Sequence, residues 1–463
     1  MTPRETDAWV LPPGIPAPTP LERLRAGDLP VRHPTRDAVD ADALIAALRG
    51  ARRDLAAIPT AGMVRILGGA AEALTRELDR ANLLDVAANG RLSAAMARAV
   101  VDGMAPSWTT AAIDHLVRAE FPDPRVLDGF VAETGRRVRA AGPAVTLHFG
   151  AGSVPGVTVT SMIRALLVRS AVLVKPGAGD IALTVRFARL LHRADPRLGR
   201  AVAVQYWPGG APAWDGWERD LLRAADQVVV YGGDAAIEAV RARAPAATRL
   251  IEHPHRVGVA IIGADTDPPG AAARMARATA RAAALFEQRG CVSTHLALVV
   301  GDEDTARAFC SELAAGLAAL ESQLPPAPLS PGELSALHQI RGRITMKGAT
   351  VWPSTPRGWS VALSRPDDFE PAGARTVWVA PVGSLAECPD ALAPLSPVLQ
   401  TIGLAGVDHE RATALAENLF AIGATRIVPL DQVPFPDPDW LHDGAGPLRE
   451  LVRWGELRQQ PVE

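Results

Sequence analysis

Between residues 144 and 245 the chain alternates short, continuously apolar runs with longer amphipathic ones. Val145-Thr146-Leu147-His148-Phe149, Ala171-Val172-Leu173-Val174, Val202-Ala203-Val204-Gln205-Tyr206-Trp207 and Gln227-Val228-Val229-Val230-Tyr231 have the length and β-branched content of strands. Helical patterns over about 159–168, 181–191 and 214–224 separate them. Strands with almost no polar face must be covered on both sides. The pattern therefore predicts a parallel α/β sheet flanked by helices, with ligands at the carboxyl ends of the strands.

The habit resumes after residue 250. Val257–Ile262 reads as a strand, about 271–288 as a helix, Leu296–Val300 as a strand and 303–320 as a helix. Arg375–Ala380 and Thr425–Pro429 read as later strands. Residues 1 to about 40 are proline-rich and read as irregular, and 41–142 as mainly helical. Met63, Ile66, Leu67, Ala70, Ala73 and Leu74 recur at helical spacing, although Gly68-Gly69 weakens that helix. Leu92–Val100 repeats the pattern, and a third helix is expected over Val126–Ala140.

Composition removes several functions. Lys plus Arg (48) nearly balances Asp plus Glu (51), so no charge footprint points to nucleic acid or an anionic membrane. No run approaches eighteen apolar residues and no secretion signal is visible, so no membrane insertion is expected. A greasy substrate must then be met in a pocket or on a partner protein. Cys291, Cys310 and Cys388 are too widely spaced for a disulfide framework or a CxxC metal site, which makes a reducing cytoplasm the expected location. His253 and His255 lack an evident third ligand, so no metal is expected.

Four short segments carry the unusual chemistry. Gly150–Gly156 follows a strand and opens a helix, where successive N–H groups and the helix terminus can meet a polar ligand. Lys175 ends the second strand, where it can reach a ribose or phosphate; Arg186, Arg200 and Arg219 are weaker phosphate partners. Gly232-Gly233 closes the fourth strand and lets a ligand approach backbone. Gly290 precedes Cys291 at a helix-to-strand junction, a place to present a thiolate beside backbone amides. On the residues alone, a tight turn, a solvated lysine, a flexible turn and a small buried cysteine compete with these readings. His253, His255 and His295 can tune a thiolate or donate a proton, but spacing alone makes a histidine of this kind more often structural.

In order, these segments resemble the LuxC-type acyl-CoA reductase branch of the aldehyde dehydrogenase superfamily. The carriers are Gly152-Ser153-Val154-Pro155-Gly156, Val172–Lys175, Ala225-Asp226-Gln227-Val228 through Gly233, and Gln288-Arg289-Gly290-Cys291-Val292-Ser293. Gly423–Pro429, His442-Asp443-Gly444 and Leu451–Trp454 look like the family's ending, so the likeness covers about 140 to 460.

The resemblance implies an α/β aldehyde dehydrogenase-like fold in four regions. These are a mainly helical region (1–143) packed on a Rossmann-like cofactor region (144–249), a catalytic region carrying the cysteine (250–430), and a C-terminal extension (431–463). It implies Cys291 as nucleophile, and Gly152, Pro155, Lys175, Gly232 and Gly233 against a nicotinamide dinucleotide, NADPH with NADH as alternative. The implied reaction turns an acyl-CoA or acyl-carrier thioester into an aldehyde through an acyl-cysteine. An acyl-delivering protein and a homo-oligomer are the partners it suggests. Relatives carry asparagine where this chain has Ser153, so the oxyanion donor is a shorter hydroxyl here. The superfamily's hydrolytic glutamate has only Glu252 as a poor match, which favours thioester chemistry. Aldehyde oxidation and a noncatalytic, carrier-binding homologue are the competing functions.

Overall fold

The computed structural model describes residues 3–263, 270–353 and 358–458. Residues 1–2 and 459–463, the outermost ends of the first and last expected regions, lie outside the described residues. The chain forms two compact units. The first comprises Met1–Arg91, Val101–Pro254 and Asp437–Glu463, and the second Leu92–Val100 and His255–Pro436.

The first unit is built on a six-stranded sheet. Its order is Arg249–His253, Gln227–Tyr231, Val145–Phe149, Ala171–Lys175, Val202–Gln205 and Trp9–Val10. The first five strands run parallel and Trp9–Val10 pairs antiparallel with the last of them. Val145–Phe149 is buried throughout, as are Ala171–Val174 and Val202–Gln205, which is why these runs carry no polar alternation. Strand order reverses between Val145–Phe149 and Gln227–Tyr231. A Rossmann-like sheet opens its ligand crevice there, at the carboxyl ends.

The helical spacing from Met63 to Leu74 lies on one helix, Thr60–Glu77, which runs unbroken through Gly68-Gly69 despite the weakening expected there. Gly68 is required by packing. A Cβ there would lie 2.3 Å from Thr110 Oγ1, at the start of the neighbouring Thr110–Glu120 helix.

Two expectations fail in this unit. Residues 1–40 are not irregular, since Leu21–Ala26 and Leu29–Pro34 form an antiparallel pair. Val126–Ala140 is no helix: Val131–Glu133 and Arg136–Ala141 make a hairpin. Gly135, at φ +73°, turns it, and buried Val138 and Ala140 alternate with more exposed arginines at strand period. Arg453–Leu457 adds a third strand to that hairpin.

The second unit holds a seven-stranded sheet in the order Thr350–Pro353, Ser360–Leu363, Thr376–Val382, Thr294–Val300, Val257–Ile262, Leu399–Ala405 and Arg426–Pro429. Only Thr350–Pro353 runs antiparallel to its neighbour. Helices Ala271–Ala284 and Glu303–Gln323 cover one face, packing Met275, Ala276, Phe309, Leu313 and Leu317 with Val361, Val377 and Val379. Cys310 is buried in this core. No helix among the described residues is long and apolar enough to cross a membrane.

Candidate active site

The first unit brings its glycine loops and lysine to one edge of one sheet. Gly150 N–H donates to Lys175 O at 2.8 Å, closing the first two strands. Gly152 is exposed and Pro155 buried. Gly156 needs to be glycine twice over: its φ is +98°, and a Cβ would meet the Trp108 ring at 2.9 Å.

The helix terminus after this loop was expected to face a ligand, but its first amides are already engaged. Gly156 N–H and Thr158 N–H point at the Asp180 carboxylate, at 3.2 and 3.4 Å. Burial pushes the Asp180 carboxyl up to about 7 against those hydrogen bonds.

Sequence reasoning missed the partners of this loop. A Cβ on Gly177 would lie 2.3 Å from Gly152 N, and one on Gly179 would lie 2.1 Å from Gly152 O. The two strand-end loops therefore touch backbone to backbone, and Asn89 ties the second one down through Ala182 N–H and Ala178 O. A cluster of glycines after Lys175 was the available signal.

Lys175 is partly buried, with Nζ 5.7 Å from the Tyr206 ring centre and 5.5 Å from that of Trp207. Burial lowers its pKa. Gly233 is exposed with nothing within 4 Å of an added Cβ, and Gly232 is half-buried. A glycine-lined crevice at the strand reversal, with an ammonium at the end of the second strand, fits a dinucleotide. Arg186 is already paired with Asp85 at 2.6 Å and Arg200 with Asp54 at 2.9 Å, while Arg219 is exposed.

Cys291 lies in the second unit, half-buried, just before the amino end of Thr294–Val300. The carboxyl-end rule thus does not locate this residue. The preceding helix stops at Ala284 rather than near 288, because Phe286, Glu287 and Gln288 are all left-handed, at φ 59°, 54° and 59°. Non-glycine residues there cost about 1 kcal/mol each or more and need outside support.

That support is visible. Gln288 Nε2 donates to Thr294 O and Thr376 O at 2.9 and 2.8 Å, and its Oε1 accepts from Thr376 N–H at 2.9 Å. Its side-chain amide acts as a rung between two strand starts. Gly290 provides space more than a sharp turn, since an added Cβ would lie 3.0 Å from the Phe286 ring. Gly258 likewise lets its strand pass under the loop, 2.5 Å from Val292 O if given a Cβ.

Cys310 and Cys388 are buried, and burial pushes both thiols up to about 12. His295 is not placed by a helical turn, because an extended strand begins at Thr294. It is 4% exposed, neither ring nitrogen meets a hydrogen-bond partner among the described residues, and burial lowers it to about 4. His255 is exposed in the same unit.

At the carboxyl edge of the first unit's sheet, four rings stack. Tyr231 lies on His253 at 4.5 Å, His253 on His442 at 4.2 Å, and His442 on Trp440 at 4.4 Å. His253 Nδ1 is 3.0 Å from Asp443 Oδ2. His253, His442 and Asp443 offer ligand atoms within 4.8 Å of one another. The two imidazoles, however, stack face to face with 12° between planes. Their in-plane lone pairs run alongside each other and do not converge on one ion. Glu252 hydrogen-bonds Arg241 at 3.0 Å, away from a hydrolytic role.

Comparison with known proteins agrees with this architecture. The acyl-CoA reductase (LuxC) family model matches residues 55–454. The long-chain acyl-protein thioester reductase of Aliivibrio fischeri is 25% identical over 350 residues, covering 74% of this chain and 70% of that one. Its Vibrio harveyi counterpart is 23% identical over 347 residues, with the same coverage. Aldehyde dehydrogenase 21 from Physcomitrella patens superposes with a TM-score of 0.78 at 12% identity, covering 100% of this chain and 99% of that chain. A benzaldehyde dehydrogenase from Corynebacterium glutamicum gives 0.74 at 16% identity, covering 96% of each. The chain has the aldehyde dehydrogenase fold and belongs to the LuxC family of acyl-CoA reductases, an oxidoreductase family.

Proposed function

We propose that this protein reduces an acyl thioester, on coenzyme A or on a carrier protein, to an aldehyde through an acyl group held on Cys291. The observation that carries the reading is the contrast among the three cysteines. Two are buried with thiols near 12, and one is half-buried on a turn braced from both sides. A thiol at about 12 is almost wholly protonated at neutral pH and cannot attack.

The Cys291 thiolate attacks the thioester carbonyl, the carrier thiol leaves, and the acyl group remains on the enzyme. Lys175 and the Gly152, Pro155, Gly232 and Gly233 backbone would hold a reduced nicotinamide dinucleotide, NADPH by family likeness, which when bound would supply the hydride for that acyl carbon. Collapse then releases aldehyde and returns the Cys291 thiolate. Ser153 and the Cys291 N–H are the candidate donors to the oxyanion. Lys175 and the backbone at Gly152, Pro155, Gly232 and Gly233 are the candidate cofactor contacts. Engagement of Glu252 by Arg241 supports reduction over hydrolytic oxidation, because the carboxylate at the position closest to the superfamily's water-activating glutamate is taken up by a guanidinium.

The test compares wild type with Cys291→Ser on a short-to-long panel of acyl-CoA and acyl-carrier thioesters with NADPH or NADH. Aldehyde and free thiol are followed together. Equal release of both, abolished in the variant, is expected. Failure to acylate Cys291 with any thioester sinks the reading and favours the noncatalytic one.

A further inference from the structure

In the first unit the strand Val202–Gln205 runs out into Tyr206-Trp207-Pro208-Gly209-Gly210. It pairs in parallel with Ala171–Lys175, Val174 against Val204, so Lys175 ends its strand beside that outgoing segment. Lys175 and Lys347 are the two lysines of the chain.

The surroundings of Lys175 disfavour its charge. It is partly buried and, among the described residues, meets no hydrogen-bond or ion-pair partner. The carboxylate that acts on it, Glu218, is committed elsewhere: it accepts from Trp207 Nε1 at 2.8 Å and pairs with Arg243 at 3.1 Å. Burial holds the Tyr206 phenol above its ordinary value, so no phenolate balances the ammonium. The Tyr206 and Trp207 ring centres, 5.7 and 5.5 Å from Nζ, lie at the outer edge of useful cation–π range. Burial accordingly lowers the Lys175 pKa. The neutral amine, which is the nucleophile, is favoured here over a solvated lysine.

One flank of that amine is open. Gly209 and Gly210 are both exposed, and a Cβ added at Gly209 would lie 3.7 Å from Nζ. A turn without side chains therefore borders the nitrogen, and a small acyl group can approach across it.

We propose that Lys175 is an acylation site, at which short acyl thioesters of coenzyme A close the nucleotide crevice. The proposal rests on the reductase reading, which makes acyl thioesters the molecules this chain meets. The neutral amine attacks the thioester carbonyl and a carbon–nitrogen bond forms. The carbon–sulfur bond breaks with its electron pair on sulfur. The proton of the amine goes to the coenzyme A thiolate, leaving an amide on Lys175 and a neutral thiol. The amide carries no charge and occupies the space beside Gly209, so a dinucleotide loses the contact that Lys175 offers. A bound dinucleotide covers the amine in turn. Acylation and nucleotide binding exclude one another, and the chain is silenced where acyl thioester is abundant and nucleotide scarce.

The experiment incubates the full chain, as wild type and as Cys291→Ser, with acetyl-CoA and maps acetylated peptides over time by mass spectrometry. Lys347, exposed in the second unit, is the internal reference. Lys175 should be acetylated about tenfold faster than Lys347 at about pH 7.5 in both proteins. A saturating dinucleotide, NADPH or NADH, should slow Lys175 about tenfold and leave Lys347 unchanged. Equal rates at the two lysines, or a Lys175 rate that a bound dinucleotide does not lower, overturn the proposal. Cys291 is read in the same digests across the chain-length panel, because hydroxylamine cleaves a thioester and spares an amide. Wild type acylated at Lys175 but at Cys291 by no thioester keeps the modification site and refutes the reductase reading. The reverse pattern refutes the site alone.

Discussion

Glu287 and Arg375 form a two-pronged ion pair inside the second unit, with nitrogen–oxygen distances of 3.0 and 2.9 Å and side chains 11% and 2% exposed. Both residues are left-handed, and Arg375 also donates to Leu324 O at 2.8 Å. The pair joins the turn before Cys291 to the loop that starts the Thr376–Val382 strand. Next to it, Gln288 bonds the same strand start. The turn before Cys291 is therefore fixed by charge and by an amide rung at successive positions.

Removing one charge leaves the other buried and uncompensated. Glu287→Gln should destabilise the protein by about 3–5 kcal/mol in urea titrations. It should also alter the rate at which Cys291 reacts with iodoacetamide under native conditions, because the turn loses one of its two braces. A variant as stable as wild type would show that the pair does not hold the turn.

The Asp180 carboxyl stands near 7 in the fold and about 3.9 in an unfolded chain. A raised folded value means that the native state keeps its proton to higher pH. The stability this provides is full below about pH 4 and is lost as pH rises through 7. The difference of about three units corresponds to roughly 4 kcal/mol. Asp180→Asn removes that dependence, so the variant should gain stability relative to wild type between pH 4 and 8. Parallel stability curves for the two proteins would refute the assignment.

The parallel sheets were legible because Val172–Val174 and Val228–Val230 are apolar on both faces, and no other element buries such a run so simply. The Cys291 segment was legible as a junction, but not as geometry. Nothing local in Leu285-Phe286-Glu287-Gln288 requires a left-handed backbone; Arg375 and Thr376, nearly ninety residues later, enforce it. The Arg136–Ala141 strand was missed because a short alternating segment rich in arginine and alanine also suits a helix. Its partner strand, Arg453–Leu457, lies at the far end of the chain. The ring stack was equally hidden, since His253 and Asp443 are 190 positions apart.

Gly177 illustrates a contact that no helix or strand rule anticipates. An alanine there would place its Cβ 2.3 Å from a backbone nitrogen of Gly152, an atom that cannot swing away. Gly177→Ala should cost about 1–3 kcal/mol of stability and weaken dinucleotide binding, because the Gly150–Gly156 loop must shift. Thermal denaturation and a nucleotide titration by fluorescence measure the two effects. Unchanged affinity alongside lowered stability would separate the loop from the cofactor.

Lys175 separates binding from folding in the opposite way. Its ammonium lies over Tyr206 and Trp207 at 5.7 and 5.5 Å, and burial disfavours its charged form. A charge held at such a cost contributes little to stability, so its value must lie in what it contacts. Methionine keeps much of the length and apolar packing while removing the charge. Lys175→Met should therefore melt at or above the wild-type temperature, yet bind NADPH about 10- to 100-fold more weakly, the worth of one charge-assisted hydrogen bond. If the ammonium meets a 2′-phosphate, the loss for NADH should be distinctly smaller. Equal losses would place it on the ribose hydroxyls common to both. Unchanged affinity for both nucleotides would return Lys175 to a packing role.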